Sequence, residues 1–557
     1  MSRLERKAKE TEKYKSPMMV HKSSDLSYTC TKNEIQEDLT MSIEISRESL
    51  DYTCDKCGRQ LQYISDCDII VPDSQPDVLR ILEVQAVEQI NDKSVSRDYI
   101  NIGGYVSYNI LYVGDDEENA LYSIDYSAPF TQQIPAKGAD DNVKCHITSH
   151  IVHTEYSLHN SRKLNVKSAV NFMAHAYSTE GISVVTYAGG EEALPCRMGN
   201  INSFNVANMA EHSFHIEEQC QVADGFEISR ILRYSVETSD AELKVVVNKV
   251  VVKGNLVVKT LYLSDGEICT SVNEIPFTQI IDAESVQPDM YTTADFCIKN
   301  PEVTRELDTD ATMTAFRVNA DICVNVITYD ERNIDYISDI YSPDYNIGVH
   351  RVDVCASELA DAVSGQCIVS DSVRLDNGEI IEKVYSLSAD SYADGAEVVG
   401  DGIKVSGSTN VSVLCKTDGK PGISAVNKKV PFSCVLPLSR EFSGNEPRCV
   451  AGVITEHSSY SIDGADSINV RVVLKASAQL ISEQTVSAVA DIDCDESVRV
   501  DKSSQAGITV YFVQSGDEMW DIAKRYHTTS EEISSVNKLE PGVKLSPGQQ
   551  LLIPKRN

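Results

Sequence analysis

One motif recurs three times along the chain and limits what it can fold into. Arg80-Ile81-Leu82 is followed 24 positions later by Gly104, Arg230-Ile231-Leu232 by Gly254, and Lys383-Val384-Tyr385 by Gly407. After each glycine runs a long strand-like segment: YVSYNILYV, NLVVKTLYL, STNVSVLCK. Each meets an acidic turn (Asp115-Asp116, Asp265-Gly266, Asp418-Gly419) and then a Pro-Phe pair (Pro129-Phe130, Pro276-Phe277, Pro431-Phe432). Cys145, Cys297 and Cys449 follow at spacings of 152, as do Val166, Val318 and Val470. Self-similarity at a fixed long period marks tandem copies of one unit. Within a copy the pattern alternates: Val250, Val252, Leu256, Val258 and Tyr262 share one face, while Lys253, Asn255 and Lys259 point away. Period two with turn residues between runs is the signature of strands. The reading is mainly β, with three tandem sandwich-like repeats at 41–188, 200–332 and 347–490.

The repeats also weigh local signals. A glycine inside a strand pattern marks a bulge or a close backbone approach. The cluster Cys145, His146, His150, His153 and His159 has metal-ligand residue types. The corresponding stretches of the other copies, CIKNPEVTREL and CVAGVITEHSS, carry no such cluster. It reads as a strand with surface imidazoles, and the three cysteines as small buried strand residues. Cys54 and Cys57 form a lone CxxC, read as reduced thiols near a turn, with a zinc knuckle or redox pair as the alternative. Asp491, Asp493, Asp495 and Glu496 lack the glycine and distal Glu of a calcium loop, and 491–507 reads as an acidic linker. No phosphate-cradling loop, nucleophile elbow, HExxH or repeated acid pair occurs, so the chain reads as non-enzymatic, with no cofactor and no metal.

The last fifty residues differ. A short strand, Ile508 to Val513, runs into Ser515-Gly516-Asp517, a turn and helix start. Ile522, Ala523 and Tyr526 follow Trp520 at helical spacing. Thr528 or Thr529 caps a second helix with Glu531 and Glu532 in its first turn, Ile533 and Val536 on one face, and Asn537 at its end. Pro541-Gly542 and Pro547-Gly548 punctuate the return to a strand at Leu551 to Ile553. This strand-helix-helix-strand unit, 508–555, resembles a LysM module.

The formal charge is −34. Residues 1–24 carry seven Lys/Arg against three Glu, and the segment from Ile508 onward is balanced, so 25–507 holds −38. Such a surface repels nucleic acid and anionic lipid and suits solubility or a basic partner. Residues 1–40 read as a flexible basic extension. The first residues lack the apolar core of an export signal and no run has the ~20 apolar residues of a membrane span. The expectation is a protein kept in a cytosol, with its scattered cysteines reduced and no membrane insertion.

The first copy opens YISDCDIIVPDSQPDVLRILEVQAVEQI, with Pro72-Asp73 and Pro76-Asp77, and this segment resembles the start of the SPOCS domain. The other copies lack the paired Pro-Asp, so a role tied to those turns belongs to the first alone. Three such units followed by LysM resemble a clostridial family of SPOCS/LysM spore coat assembly proteins. The resemblance implies a mother-cell adaptor at the forespore surface, whose LysM module binds the coat-basement morphogenetic ATPase (SpoIVA-like) rather than glycan. Peptidoglycan or cortex glycan is the alternative ligand. By match to the LysM motif, one groove wall is Gly516, Asp517, Glu518 and Met519, and the other Asn537, Pro541, Gly542, Val543, Lys544 and Leu545. Glycan-binding modules commonly carry Thr-Leu where this chain has Glu518-Met519. Glu518 is either a charge in the groove or a helix cap, and Trp520 is expected to pack under the groove.

Overall fold

The alternating segments form strands that pair antiparallel throughout. The first repeat gives β1 (Glu44–Asp55), β2 (Arg59–Ile70), β3 (Val78–Ser96), β4 (Tyr99–Gly114), β5 (Leu121–Pro135), β6 (Lys144–Asn160) and β7 (Lys163–Gly189). The second gives β8 (Cys196–Gln221), β9 (Arg230–Val246), β10 (Lys249–Ser264), β11 (Glu267–Asp282), β12 (Tyr291–Glu306) and β13 (Ala315–Ile340). The third gives β14 (Tyr345–Arg374), β15 (Ile381–Val399), β16 (Gly402–Thr417), β17 (Ile423–Pro437), β18 (Arg448–Asp463) and β19 (Ser467–Arg499). The computed structural model describes residues 44–116, 120–140, 143–189, 194–222, 226–308, 312–375, 378–420, 422–440, 442, 447–540 and 542–556, with the side chains of 240 and 494–498 excepted. The basic extension at 1–40 lies outside these residues.

Each repeat is a sandwich. A front sheet (β3-β4-β5, β9-β10-β11 or β15-β16-β17) packs on a back sheet centred on β7, β13 or β19. In the second repeat Val250, Val252, Leu256, Val258 and Tyr262 are all buried in the layer between, which is the face the alternation assigns to the core. The repeated glycines mark close approach. An added Cβ would lie 1.9 Å from the Gln89 carbonyl oxygen at Gly104 and 2.2 Å from that of Tyr392 at Gly407. Each glycine faces the phenylalanine of the Pro-Phe pair across the ladder: Gly104 and Phe130, Gly254 and Phe277, Gly407 and Phe432. The ring covers the gap that the missing side chain leaves, and the adjoining ladder shifts register beside it.

The three repeats close on one another. Front sheets meet in sequence, β5 on β9, β11 on β15 and β17 back on β3. Leu82, Leu111, Leu232, Leu261 and Leu414, with Tyr385 beside them, make one apolar plug from all three copies. The back-sheet strands outrun the front sheets, and their overhangs form a triangular stem filled by Leu50, Val184, Ile201, Ile334, Val354 and Ala488. Residues 43–557 are thus one unit with approximate threefold symmetry. At matched positions next to the plug stand Glu83, Arg233 and Ser386. Arg233 pairs with Glu83 and donates to Ser386 Oγ at 3.0 Å, and Ser412 Oγ donates to Glu83 at 2.6 Å. Glu83 is only 3% exposed, so its charge rests on such partners rather than on water.

Several expectations change. Strand register matches Cys145 with Cys449, whose partners Ala176 and Leu480 are two repeat periods apart. In the second copy that place belongs to Thr292, opposite Thr328, while Cys297 pairs with Cys323. These cysteines are half-buried rather than buried. The histidines of the cluster are not all on the surface: buried His146 contacts Asp295 of the second repeat at 3.0 Å, and His150 stacks on Tyr392 of the third at 4.4 Å. They belong to seams that a single repeat does not reveal. Residues 491–494 and 499 pair with β14 as part of β19, so the connection to the last module is short. The second and third repeats begin and end at strands wider than 200–332 and 347–490.

Glu88, half-buried on β3, has its carboxyl pushed up to about 7 by burial, with Asp390 of the third repeat adding to the rise. A carboxyl with a folded value above its unfolded 4.5 binds its proton more tightly in the folded chain. Its contribution is therefore full below that value and is lost as pH climbs towards 7. Glu88→Gln is expected to melt level with the wild type at pH 4.5–5 and on the order of 2 °C above it at pH 8. Parallel melting curves at the two pH values would refute this.

Candidate functional site: the LysM groove and its dock

The C-terminal module has β20 (Ile508–Phe512), α1 (Met519–Arg525), α2 (Ser530–Asn537) and β21 (Gln550–Pro554), with β20 and β21 antiparallel. Thr529 caps α2 in a reciprocal box: its side chain accepts from Glu532 N, and the Glu532 carboxylate accepts from Thr529 N. This satisfies two of the donors that a helix start leaves open. Ile522, Ala523, Ile533, Leu551 and Ile553 form the core. Val536 stands outside it, 41% exposed.

The first groove wall is a tight turn. Gly516 has φ 91, a left-handed conformation that glycine adopts without strain. Asp517 Oδ2 accepts from Tyr511 OH at 2.6 Å and from Gln514 N at 2.8 Å, bonds that hold its carboxyl below the ordinary range. Glu518 occupies the cap position of α1 without a side-chain cap bond. Its carboxylate instead accepts from Arg197 Nη2 on β8 at 2.5 Å, so the capping alternative does not hold. Met519 and Leu545, from opposite walls, pack against the same core. Val543 and Lys544 are exposed and Gly542 turns at φ 77; Pro541 lies outside the described residues. Asn537 is occupied structurally: Nδ2 donates to Ile533 O and Leu552 O, and Oδ1 accepts from Leu552 N, all at 2.7–2.8 Å. It ties α2 to β21.

Trp520 packs against the same module core as Met519 and Leu545 and also reaches out of the module. Its indole N–H donates to Asp339 Oδ2 at 2.7 Å and its ring meets Tyr341 edge-on at 4.9 Å. Lys524 Nζ reaches both Asp339 oxygens at 2.7 and 2.9 Å. Burial works to raise the Asp339 pKa, but Lys524, Trp520 and Arg351 hold its carboxyl below the ordinary range. Tyr341, 4% exposed, donates to Thr528 O at 2.9 Å and joins the module's core. Lys502 adds a pair with Asp344 at 2.7 Å. The module is therefore seated on the end of the stem at the second repeat. Sequence reading missed this dock; the one signal for it was a lone Trp and Lys four apart on a short helix.

Two family models match. The model described as SipL, SPOCS domain, matches residues 77–159 and 227–305, which span β3–β6 and β9–β12. The LysM domain model matches 511–554. No curated protein and no solved structure gave a match. The chain combines SPOCS and LysM domains, as in the SPOCS/LysM spore coat assembly family that its sequence resembles. Both domains are of binding type rather than catalytic, and together they fit a sporulation-related protein. Among the described residues no helix is long and apolar enough to cross a membrane.

Proposed function

We propose that this chain is a non-enzymatic adaptor of spore coat morphogenesis. Its LysM groove binds the coat-basement morphogenetic ATPase, and the three-repeat body holds that groove at the forespore surface in the mother cell. The observation that carries this reading is the dock: a module seated on the three-repeat body through Asp339, Tyr341 and Trp520 presents its groove in one orientation, as an adaptor requires. The walls carry exposed, apolar Val543 and partly buried Met519 and Leu545, which also suits a protein surface, where adaptable side chains are useful. A second reading, recognition of N-acetylglucosamine-containing glycan, is favoured by the LysM match itself.

Calorimetric titration of the full chain separates the two. The ATPase is expected to bind saturably and N-acetylglucosamine oligomers to give no heat. Val543→Glu, exposed on the groove wall, is expected to weaken ATPase binding about tenfold while leaving the melting temperature unchanged. Binding to the oligomers alone would replace the adaptor with a wall- or cortex-binding protein. Trp520 fluorescence is not the readout of choice, because the indole reports the dock rather than the groove.

A further inference from the structure

Two ion pairs recur at the end of the stem, where each repeat meets its neighbour. Arg47 on β1 pairs with Asp491 on β19, and Arg351 on β14 pairs with Asp339 on β13. The two aspartates are one repeat period, 152 residues, apart. The third member of that series is Tyr187, which offers no carboxylate. Arg197 on β8 stands next to Met198, the register counterpart of Arg47 and Arg351, and has Asp339 as its own ladder partner. It turns to the LysM module, where its guanidinium lies 5.4 Å over the Trp520 ring and its Nη2 meets Glu518. Both partners are substantially exposed, at 42% and 62% of the side chain. Such a pair adds little to stability and acts on charge recognition instead.

Its effect is on the groove. The module alone would present the Glu518 carboxylate on its first wall. In the whole chain that charge is matched by Arg197, while Lys544 on the opposite wall is exposed. Met519 adjoins Glu518 in the chain, and Val543 and Leu545 flank Lys544. We infer that Arg197, a residue of the SPOCS body, is a specificity determinant of the LysM groove, and that the groove takes an apolar protein segment flanked by an acidic residue. This rests on the adaptor reading above. The recognition surface is composite, made by two domains, and it selects against basic segments that the bare module would attract.

The test uses the full chain. Arg197→Glu is expected to weaken calorimetric binding of the ATPase at least tenfold, and the exchange Arg197→Glu with Glu518→Arg to recover most of it. Trp520 emission and the melting temperature report whether the dock persists. If Arg197→Glu disturbs them, Arg197→Gln, which keeps length and removes charge, is expected to give a smaller loss of about threefold. Increasing salt should weaken wild-type binding more than that of Arg197→Gln. Wild-type affinity in both variants with the dock intact overturns the inference and leaves the adaptor standing. Absence of ATPase binding by the wild type overturns both. An N-acetylglucosamine oligomer, being uncharged, is expected to be indifferent to the exchange; if it binds and the ATPase does not, the groove is a glycan site and the inference falls.

Discussion

Arg233→Ala is expected to destabilise the body by about 3–5 kcal/mol, because it leaves Glu83 buried and unpaired. Arg233 and Glu83 come from different repeats and meet beside the apolar plug, with Ser386 and Ser412 completing the layer. Glu83→Ala should cost a similar amount. The double substitution Glu83→Leu/Arg233→Leu should cost far less than the sum and return stability to near that of the wild type, since it removes the desolvated charges together. Urea denaturation of the wild type, Glu83→Leu, Arg233→Leu and the double leucine variant forms a double-mutant cycle. Additive losses would mean that the pair is not coupled and that the layer does not join the repeats as described.

The repeated glycines give the second large effect, and they differ in a way that ranks them. At Gly104 and Gly407 an added Cβ would fall 1.9 and 2.2 Å from a backbone carbonyl oxygen, whereas at Gly254 the nearest backbone atom is 3.2 Å away. Gly254 does meet the Phe277 ring at 2.8 Å, but that ring lies on a side chain that can shift. Gly104→Ala and Gly407→Ala are each expected to cost about 2–3 kcal/mol, and Gly254→Ala less than about 1 kcal/mol. The midpoint of chemical denaturation measures the order. A cost at Gly254 equal to the others would show that ring crowding, not backbone approach, sets the requirement.

What the sequence made legible follows from local chemistry. Alternation put Val250, Val252 and Leu256 in a core and Lys253 outside it. Glycine and Pro-Phe recur because one backbone contact recurs. Thr529, Glu532 and Ile533 announced a capped helix. What escaped reading depends on partners far away in the chain. Glu83, Arg233 and Ser386 differ in chemistry, and only their equal place in three copies relates them. Asp339 looks like one acid among many until Trp520 and Lys524 arrive from 181 and 185 positions away. Asn537 looked like a groove residue because the end of a helix invites that reading, yet its amide is fully used on β21. Cys297 matched its counterparts by spacing, but the register of β12 and β13 places Thr292 there instead. The acidic run at 491–499 has a linker's composition, yet β14 pairs with 491–494 and 499.

The contact of β17 with β3 has an arithmetic meaning. Every front sheet that could accept a following repeat has already accepted one, and the last is satisfied by the first. The molecule counts to three and stops. Copies of this chain cannot lengthen into a filament by adding repeat to repeat, as an open solenoid would. Assembly of such bodies has to use surfaces other than these seams, which the three repeats already occupy with one another.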